Sequence, residues 1–476
     1  MTKRRDSGSR GRGPADGPAG GGRDARLQRE LVRLWTDLVA DREPPAIDRW
    51  LAHELGRLDG LYRAERLLLG DLLTDGVRFA PLVLFAEELR QAEPGTDPDR
   101  LADAWLARTG PELWRRLRRL AVPVVFFWTF MRKREEGADL PPIAPPSPEA
   151  PAVWKALKAW AAASTVPAVR ALWAGLPPGL EALAADRARR SGWQEADVLA
   201  FLDRHAARPP VWLRLADPAG LRAVRAELEG QGFLVADEID GALAVSGPRG
   251  VFELPCYRDG RIDVQDLASQ RIGHAVGAAP GQVVWDACAG AGGKSLQLAA
   301  ALGGTGAVHA TDLYENKLKD LRRRARRAGW ANLRASLWDG DGIPAFGPEV
   351  DGRGGFDRVL VDAPCSGSGT WRRHPDGRLR FAVDQLDDLA AVQGSLLSLC
   401  AGAVRPGGRL VYATCSWFAA ENEEVVDAFL AAHPGFALER QGVHGNPAED
   451  ADTTFTAVFI RSNSLGGTPR VRESNI

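Results

Sequence analysis

The sequence predicts an α/β protein: a Rossmann-like, doubly wound sheet in the C-terminal half, preceded by a small α+β module and a helical N-terminal region. Three observations predict it. From residue 282 onward short apolar strands alternate with helical stretches, the pattern of a parallel sheet covered by helices on both faces. The first of these strands, 283–285, runs straight into a glycine-rich turn and a helix start. Before residue 205 apolar residues recur at three- and four-residue spacing, as in Leu31, Leu34, Trp35 and Leu38, which is the period of an amphipathic helix.

Taken in order, residues 1–24 are Gly, Arg, Asp and Pro with almost no apolar content, a composition that predicts a disordered basic tail. Residues 25–136 carry the helical period, broken often by Pro and Gly into short helices. A Pro-rich linker is expected over 137–152, a helical connector over 153–208, and a module of about 50 residues with β-strand and helix signals over 209–260. The alternating domain occupies 261–462, with strands expected at 283–285, 308–311, 358–361 and 409–413, and 463–476 reads as a tail. A chain of 476 residues suffices for several such units.

The formal net charge of −1 gives no overall attraction to nucleic acid, but arginines cluster at 115–119 and 322–327, where they are phosphate contacts or solvated helix faces. The longest apolar run, 121–130, is half of what a membrane helix needs, and no apolar stretch follows the basic start. The five cysteines form no Cys-x-x-Cys pair, so neither a disulfide framework nor a metal site is expected. That fits a reducing cytoplasm, where a cysteine with a task is a nucleophile. Cys256 and Cys400 read as ordinary buried residues.

The turn after the first strand is Cys288-Ala289-Gly290-Ala291-Gly292-Gly293-Lys294-Ser295. Its glycines let backbone approach a ligand and leave helix N–H groups free. A nucleoside-triphosphate loop needs Gly where Cys288 stands, and a dinucleotide fingerprint needs Gly where Ser295 stands. A nucleoside cofactor without phosphates, such as S-adenosyl-L-methionine, suits this looser loop. Asp312, at the end of the second strand, stands where such folds place the acid that accepts ribose hydroxyls, although it also suits a helix cap. Past the third strand, Asp339 and Asp341 are within reach of an adenine amino group, and Asp341 is preferred.

The chemistry is expected at two later strand ends, Asp362-Ala363-Pro364-Cys365-Ser366 and Thr414-Cys415-Ser416. Both place a cysteine at the cofactor edge of the sheet. Carbon 5 of cytosine is too weak a nucleophile to take a methyl group from a sulfonium. A thiolate adding to carbon 6 makes carbon 5 enamine-like, and a carboxyl group at ring nitrogen 3 stabilises that addition. After transfer the carbon 5 proton leaves and the adduct collapses, a step a second cysteine can assist.

With VQDLASQ at 264–270, the strings DACAGAGGKS, VDAPCSGSGTWRRHPD and VYATCS resemble the RsmB/Sun-type RNA cytosine-5 methyltransferases. The resemblance spans about 209–461 and is nearest to bacterial members that modify small-subunit ribosomal RNA. It implies Cys415 as nucleophile, Cys365 as the release cysteine and Asp362 contacting the target base and the cofactor's side. It implies cofactor contacts from Cys288, Ala289, Gly290, Ala291, Gly292, Gly293 and Lys294, then Asp312 and Asp341. It implies S-adenosyl-L-methionine as cofactor, RNA as partner (ribosomal ahead of transfer RNA), RNA binding by the 209–260 module, and a NusB-like helical domain at the N-terminus. No metal or membrane partner is expected, and a monomer is. Arg372 and Arg373 are placed as candidate phosphate contacts beside a flipped base, and His374 as structural. This loop has Gly-Ala-Gly-Gly-Lys where the family has Ala-Pro-Gly-Gly-Lys, and Leu215-Ala216 stands where the module usually carries an Arg-Val-Asn triplet. A silent RNA-binding assembly factor would be expected to have lost a cysteine. Both are here.

Overall fold

In the computed structural model the described residues are 20–463, apart from 94, 106–107, 139, 141–142, 248–249 and 446. Most of the tail expected over 1–24 and all but residue 463 of the C-terminal tail lie outside them. Within them the first helix already begins at Gly20, so the last residues of the expected basic tail are helical.

Seven helices follow one another from Gly20 to Glu135 and enclose an aromatic core of Trp35, Phe85, Trp114, Phe126 and Trp128. Trp35 and Phe126 meet edge-on at 5.2 Å, the offset geometry that ring quadrupoles favour. The segment expected as a connector is four further helices, Ala150–Ala163, Pro167–Trp173, Glu181–Ser191 and Glu195–Arg204. It does more than connect. Trp154, Leu157 and Leu172 enter the N-terminal core, while Leu176, Leu180 and Phe201 pack with Trp371, Phe381, Trp417 and Phe418 of the C-terminal domain.

The small module is a four-stranded sheet in the order β2-β3-β1-β4, formed by β1 (Val211–Leu215), β2 (Leu234–Ile239), β3 (Ala242–Ser246) and β4 (Ile262–Val264). The helix Leu221–Gly230 buries Val224 and Leu228 against it. Its fourth strand extends past the boundary expected at 260.

The C-terminal domain is a seven-stranded sheet made of β5 (Val283–Asp286), β6 (Ala307–Asp312), β7 (Leu333–Leu337), β8 (Phe356–Asp362), β9 (Val404–Thr414), β10 (Phe436–His444) and β11 (Thr454–Arg461). Strand order is β10-β11-β9-β8-β5-β6-β7. The five strands β5 to β9 are parallel. The sheet is not parallel throughout: β11 runs antiparallel between β9 and β10. Central strands are buried on both faces, which explains their near-continuous apolar runs. The order reverses at β5, so β5, β6 and β8 open their carboxyl ends onto the crevice where such sheets bind ligands.

Candidate active site

Glycine-rich backbone builds the first half of the site. Gly290 and Gly292 have φ of +57° and +88°, a region side chains avoid. A Cβ on Gly292 would also stand 2.6 Å from Leu321 Cγ. Asp312 welds the loop to β6: its Oδ2 accepts from Gly290 N at 2.9 Å and its Oδ1 from Tyr314 N at 2.9 Å. An ionised carboxylate has about four lone-pair sites, so Asp312 combines a local cap with remaining acceptor capacity. Asp339 accepts from Asp341 N at 3.0 Å. The carboxylate of Asp341 is exposed and has no partner among the described residues.

Beneath the loop sits Asp286, fully buried at the end of β5. Ser295 Oγ donates to its Oδ2 at 2.6 Å, while Oδ1 has no partner. Burial pushes its pKa up to about 7. Burial likewise raises the Cys288 thiol, keeping it neutral.

The second half of the site comes from β8 and β9. Their parallel register sets Asp362 opposite Ala413, so the loops that follow leave the sheet side by side. Cys365 Sγ and Cys415 Sγ lie 3.3 Å apart. Contact with Cys415, together with burial, pushes the Cys365 thiol well above its ordinary pKa. Lys294 reaches across from the glycine loop and donates to Asp362 Oδ2 at 2.7 Å. Burial opposes the charge of Lys294, but Asp362, then Cys415 and Asp286, outweigh it and hold its pKa above the usual lysine value. The ammonium group is therefore held on the carboxylate that the sequence singled out.

Sequence reasoning missed what fixes the two cysteines. Glu421, fully buried, accepts from Ser366 N at 2.8 Å, from Ser366 Oγ at 2.6 Å and from Gln393 Nε2 at 3.0 Å. Gln393 also donates to Pro364 O. Ser366 and Ser368 each meet the Ser416 hydroxyl, at 3.2 Å and 3.0 Å. Asn422 donates to Ser416 O and accepts from Thr414 Oγ1. The only signal for this lattice was the acid-amide string Glu421-Asn422-Glu423, which has no chemistry of its own to mark it.

The expectation for Arg372 and Arg373 is corrected. Arg372 is buried and donates to Ala207 O, Asp450 and Ala451 O. Arg373 bridges Asp266 at 2.7 Å and Asp452 at 2.9 Å and reaches Pro210 O. Both guanidinium groups are engaged by internal carboxylates and carbonyls that tie the small module and the loop before β11 to the Cys365 loop, so neither is poised for phosphate. Within the 322–327 cluster, Arg324 and Arg327 pair with Asp263, and Arg324 also holds Ala291 O. Cys256 and Cys400 are buried, as expected.

The sheet order, the glycine loop on β5 and the acids ending β6 and β8 define the class of S-adenosylmethionine-dependent methyltransferases. Residues 275–464 match the family model described as 16S rRNA methyltransferase RsmB/F. The chain is 32% identical over 280 residues to ribosomal RNA small subunit methyltransferase B of Klebsiella pneumoniae, covering 56% of this chain and 62% of that protein. It is 35% identical over 255 residues to the protein of the same name from Pseudomonas syringae pv. tomato, covering 52% of each. The matches thus span between half and two thirds of the curated relatives' length. The crystal structure of PH0851 superposes with a TM-score of 0.61 at 22% identity, covering 91% of this chain and 98% of that one, and shares the fold.

The cofactor is S-adenosyl-L-methionine, and the residues present fit it. The unpartnered, buried Oδ1 of Asp286 suits a cationic ligand. Leu313 and Tyr314, both more than half exposed directly after Asp312, offer an apolar shelf for a flat ring. Among the described residues no helix is long and apolar enough to cross a membrane, and no cluster of His, Cys, Asp or Glu is arranged to hold a metal.

Proposed function

We propose that this chain is an RNA cytosine-5 methyltransferase acting on small-subunit ribosomal RNA through a covalent adduct with Cys415. The observation that carries the reading is the pair of thiols 3.3 Å apart, beside the Asp362–Lys294 ion pair at 2.7 Å. A packing cysteine needs no second thiol against it and no part-buried ion pair at the same strand ends.

In this reading Cys415, as thiolate, adds to carbon 6 of cytosine, and the displaced π pair becomes the carbon 4–carbon 5 double bond while the carbon 4–nitrogen 3 pair moves onto nitrogen 3. Asp362 meets the base as a carboxylic acid and passes its proton to ring nitrogen 3 as negative charge develops there, and Lys294 stabilises the carboxylate left behind. The cofactor, when bound, supplies an electrophilic methyl group to carbon 5. A base then removes the carbon 5 proton, its bonding pair re-forms the double bond, and the bond from carbon 6 to Cys415 breaks. Cys365, held as a neutral thiol against Cys415, assists that release. Asp312 and Asp341 are assigned to the ribose and adenine ends of the cofactor, and Cys288 through Lys294 to its binding loop.

The test is transfer of labelled methyl groups to unmodified small-subunit ribosomal RNA, with transfer RNA alongside. Label recovered as 5-methylcytosine in ribosomal RNA is the expected result. Label confined to transfer RNA would reassign the substrate. No label in either, with cofactor bound, would overturn the activity.

A further inference from the structure

The N-terminal helices do not sit apart from the catalytic cysteines. A cavity of about 770 Å³ opens at Cys365, whose Sγ lies 3.3 Å from that of Cys415, with Cys365, Ser366 and Arg380 on one wall and Arg42, Trp114 and Arg115 of the helical region on the other. That volume lies within the roughly 300–1,000 Å³ of ordinary ligand sites. The seam behind the cavity is tight. Arg380 donates to Pro44 O and Pro45 O, at 3.0 and 3.2 Å. Arg378, fully buried, donates to Ala174 O, Gly175 O and His205 O. A Cβ on Gly110, at the start of the helix that carries Arg115, would stand 2.3 Å from Arg378 O. The helix bearing Arg115 is therefore seated directly on the segment that follows the Cys365 loop.

The two arginines of the helical wall differ from their neighbours. Arg116 pairs with Glu88, and Arg118 holds Val39 O and Ala40 O. Arg42 and Arg115 are exposed and have no hydrogen-bond or ion-pair partner among the described residues. Glu43 and Asp388 also line the cavity, so attraction for an anion is local to the guanidinium groups and not a uniform basic field. A guanidinium fork facing open space beside a nucleophilic site is suited to a phosphodiester. Resting on the function proposed above, we infer that the helical region forms the second wall of the substrate site, and that Arg42 and Arg115 hold backbone phosphates of the RNA strand flanking the target cytosine. This assigns phosphate recognition to the N-terminal helices, in place of Arg372 and Arg373.

The test is the salt dependence of RNA binding by the full chain. It compares wild type, the double variant R42Q/R115Q and an exposed control away from the cavity, R189Q. Each phosphate contact to single-stranded nucleic acid contributes about 0.7 to the slope of log K against log salt. The double variant is expected to lose about 1.4 of that slope and to raise the RNA KM severalfold, while R189Q matches wild type. Cofactor affinity measured in the same samples reports that the fold is intact. A wild-type protein that methylates RNA, with R42Q/R115Q showing the same slope and KM, would overturn this inference alone. A wild-type protein that neither binds nor methylates RNA would overturn the proposed function together with it.

Discussion

At the scale of single residues, the two cysteines are expected to fail differently. Cys415→Ala should abolish methyl transfer, because the thiol that remains 3.3 Å away, Cys365, is half-buried and held neutral. Cys365→Ala should let the adduct form and stall, leaving a covalent protein–RNA species retained on a denaturing gel. An active Cys415→Ala enzyme would reverse the assignment. Asp286 gives a pH prediction. Its folded pKa is about 7, against about 3.9 for a free aspartate, so the native state holds a proton that the unfolded chain has released. Stability therefore falls as pH rises through that window. Asp286→Asn has no charge to bury, so its Tm relative to wild type should rise from pH 5 to pH 8 in the absence of cofactor. A pH-independent difference would contradict the burial argument. These residues were legible in the sequence because their chemistry is rare: cysteines at two strand ends, acids at two more. Asp286 was read only as part of its strand, since burial is invisible in one sequence.

At the scale of elements, the lattice around Glu421 explains how two loops from neighbouring parallel strands hold their thiols together. Three donors converge on one carboxylate, two of them from Ser366. Glu421→Gln removes the charge and the oxygen that accepts from Ser366 Oγ, so that hydroxyl must re-orient within the network, which costs about 1–3 kcal/mol in a buried site. Transfer should slow with cofactor affinity retained, and urea unfolding should show the loss of stability. An unchanged rate would mean the Pro364-Cys365-Ser366 loop is held by β8 and β9 alone. The parallel strands and the glycine loop could be read from alternating periodicity. The antiparallel pair β10 and β11 could not, since a strand's direction depends on partners distant in sequence. Arg372 and Arg373 were misread for a related reason: a loop arginine shows its charge in the sequence, but Asp266, Asp450 and Asp452, which neutralise it, lie about 80 to 110 residues away.

At the scale of the whole molecule, the seam between the helical region and the C-terminal domain decides whether the N-terminal part is an appendage or a wall of the site. Leu379 of the C-terminal domain is counted in the helical core, and Gly110 abuts the carbonyls of Arg378 and Phe381. No local pattern in the sequence announced this contact, because its partners are ordinary apolar residues and backbone oxygens. Gly110→Ala tests it. The added methyl group meets backbone rather than a flexible side chain tip, so the helix must shift, and overpacking of this kind costs about 1–3 kcal/mol. If the helical region is a wall of the site, the shift should raise the RNA KM while leaving cofactor affinity intact, since the glycine loop is built on β5 and β6. If RNA KM and Tm both match wild type, the seam has slack, and a wall standing on it cannot hold a nucleotide in register.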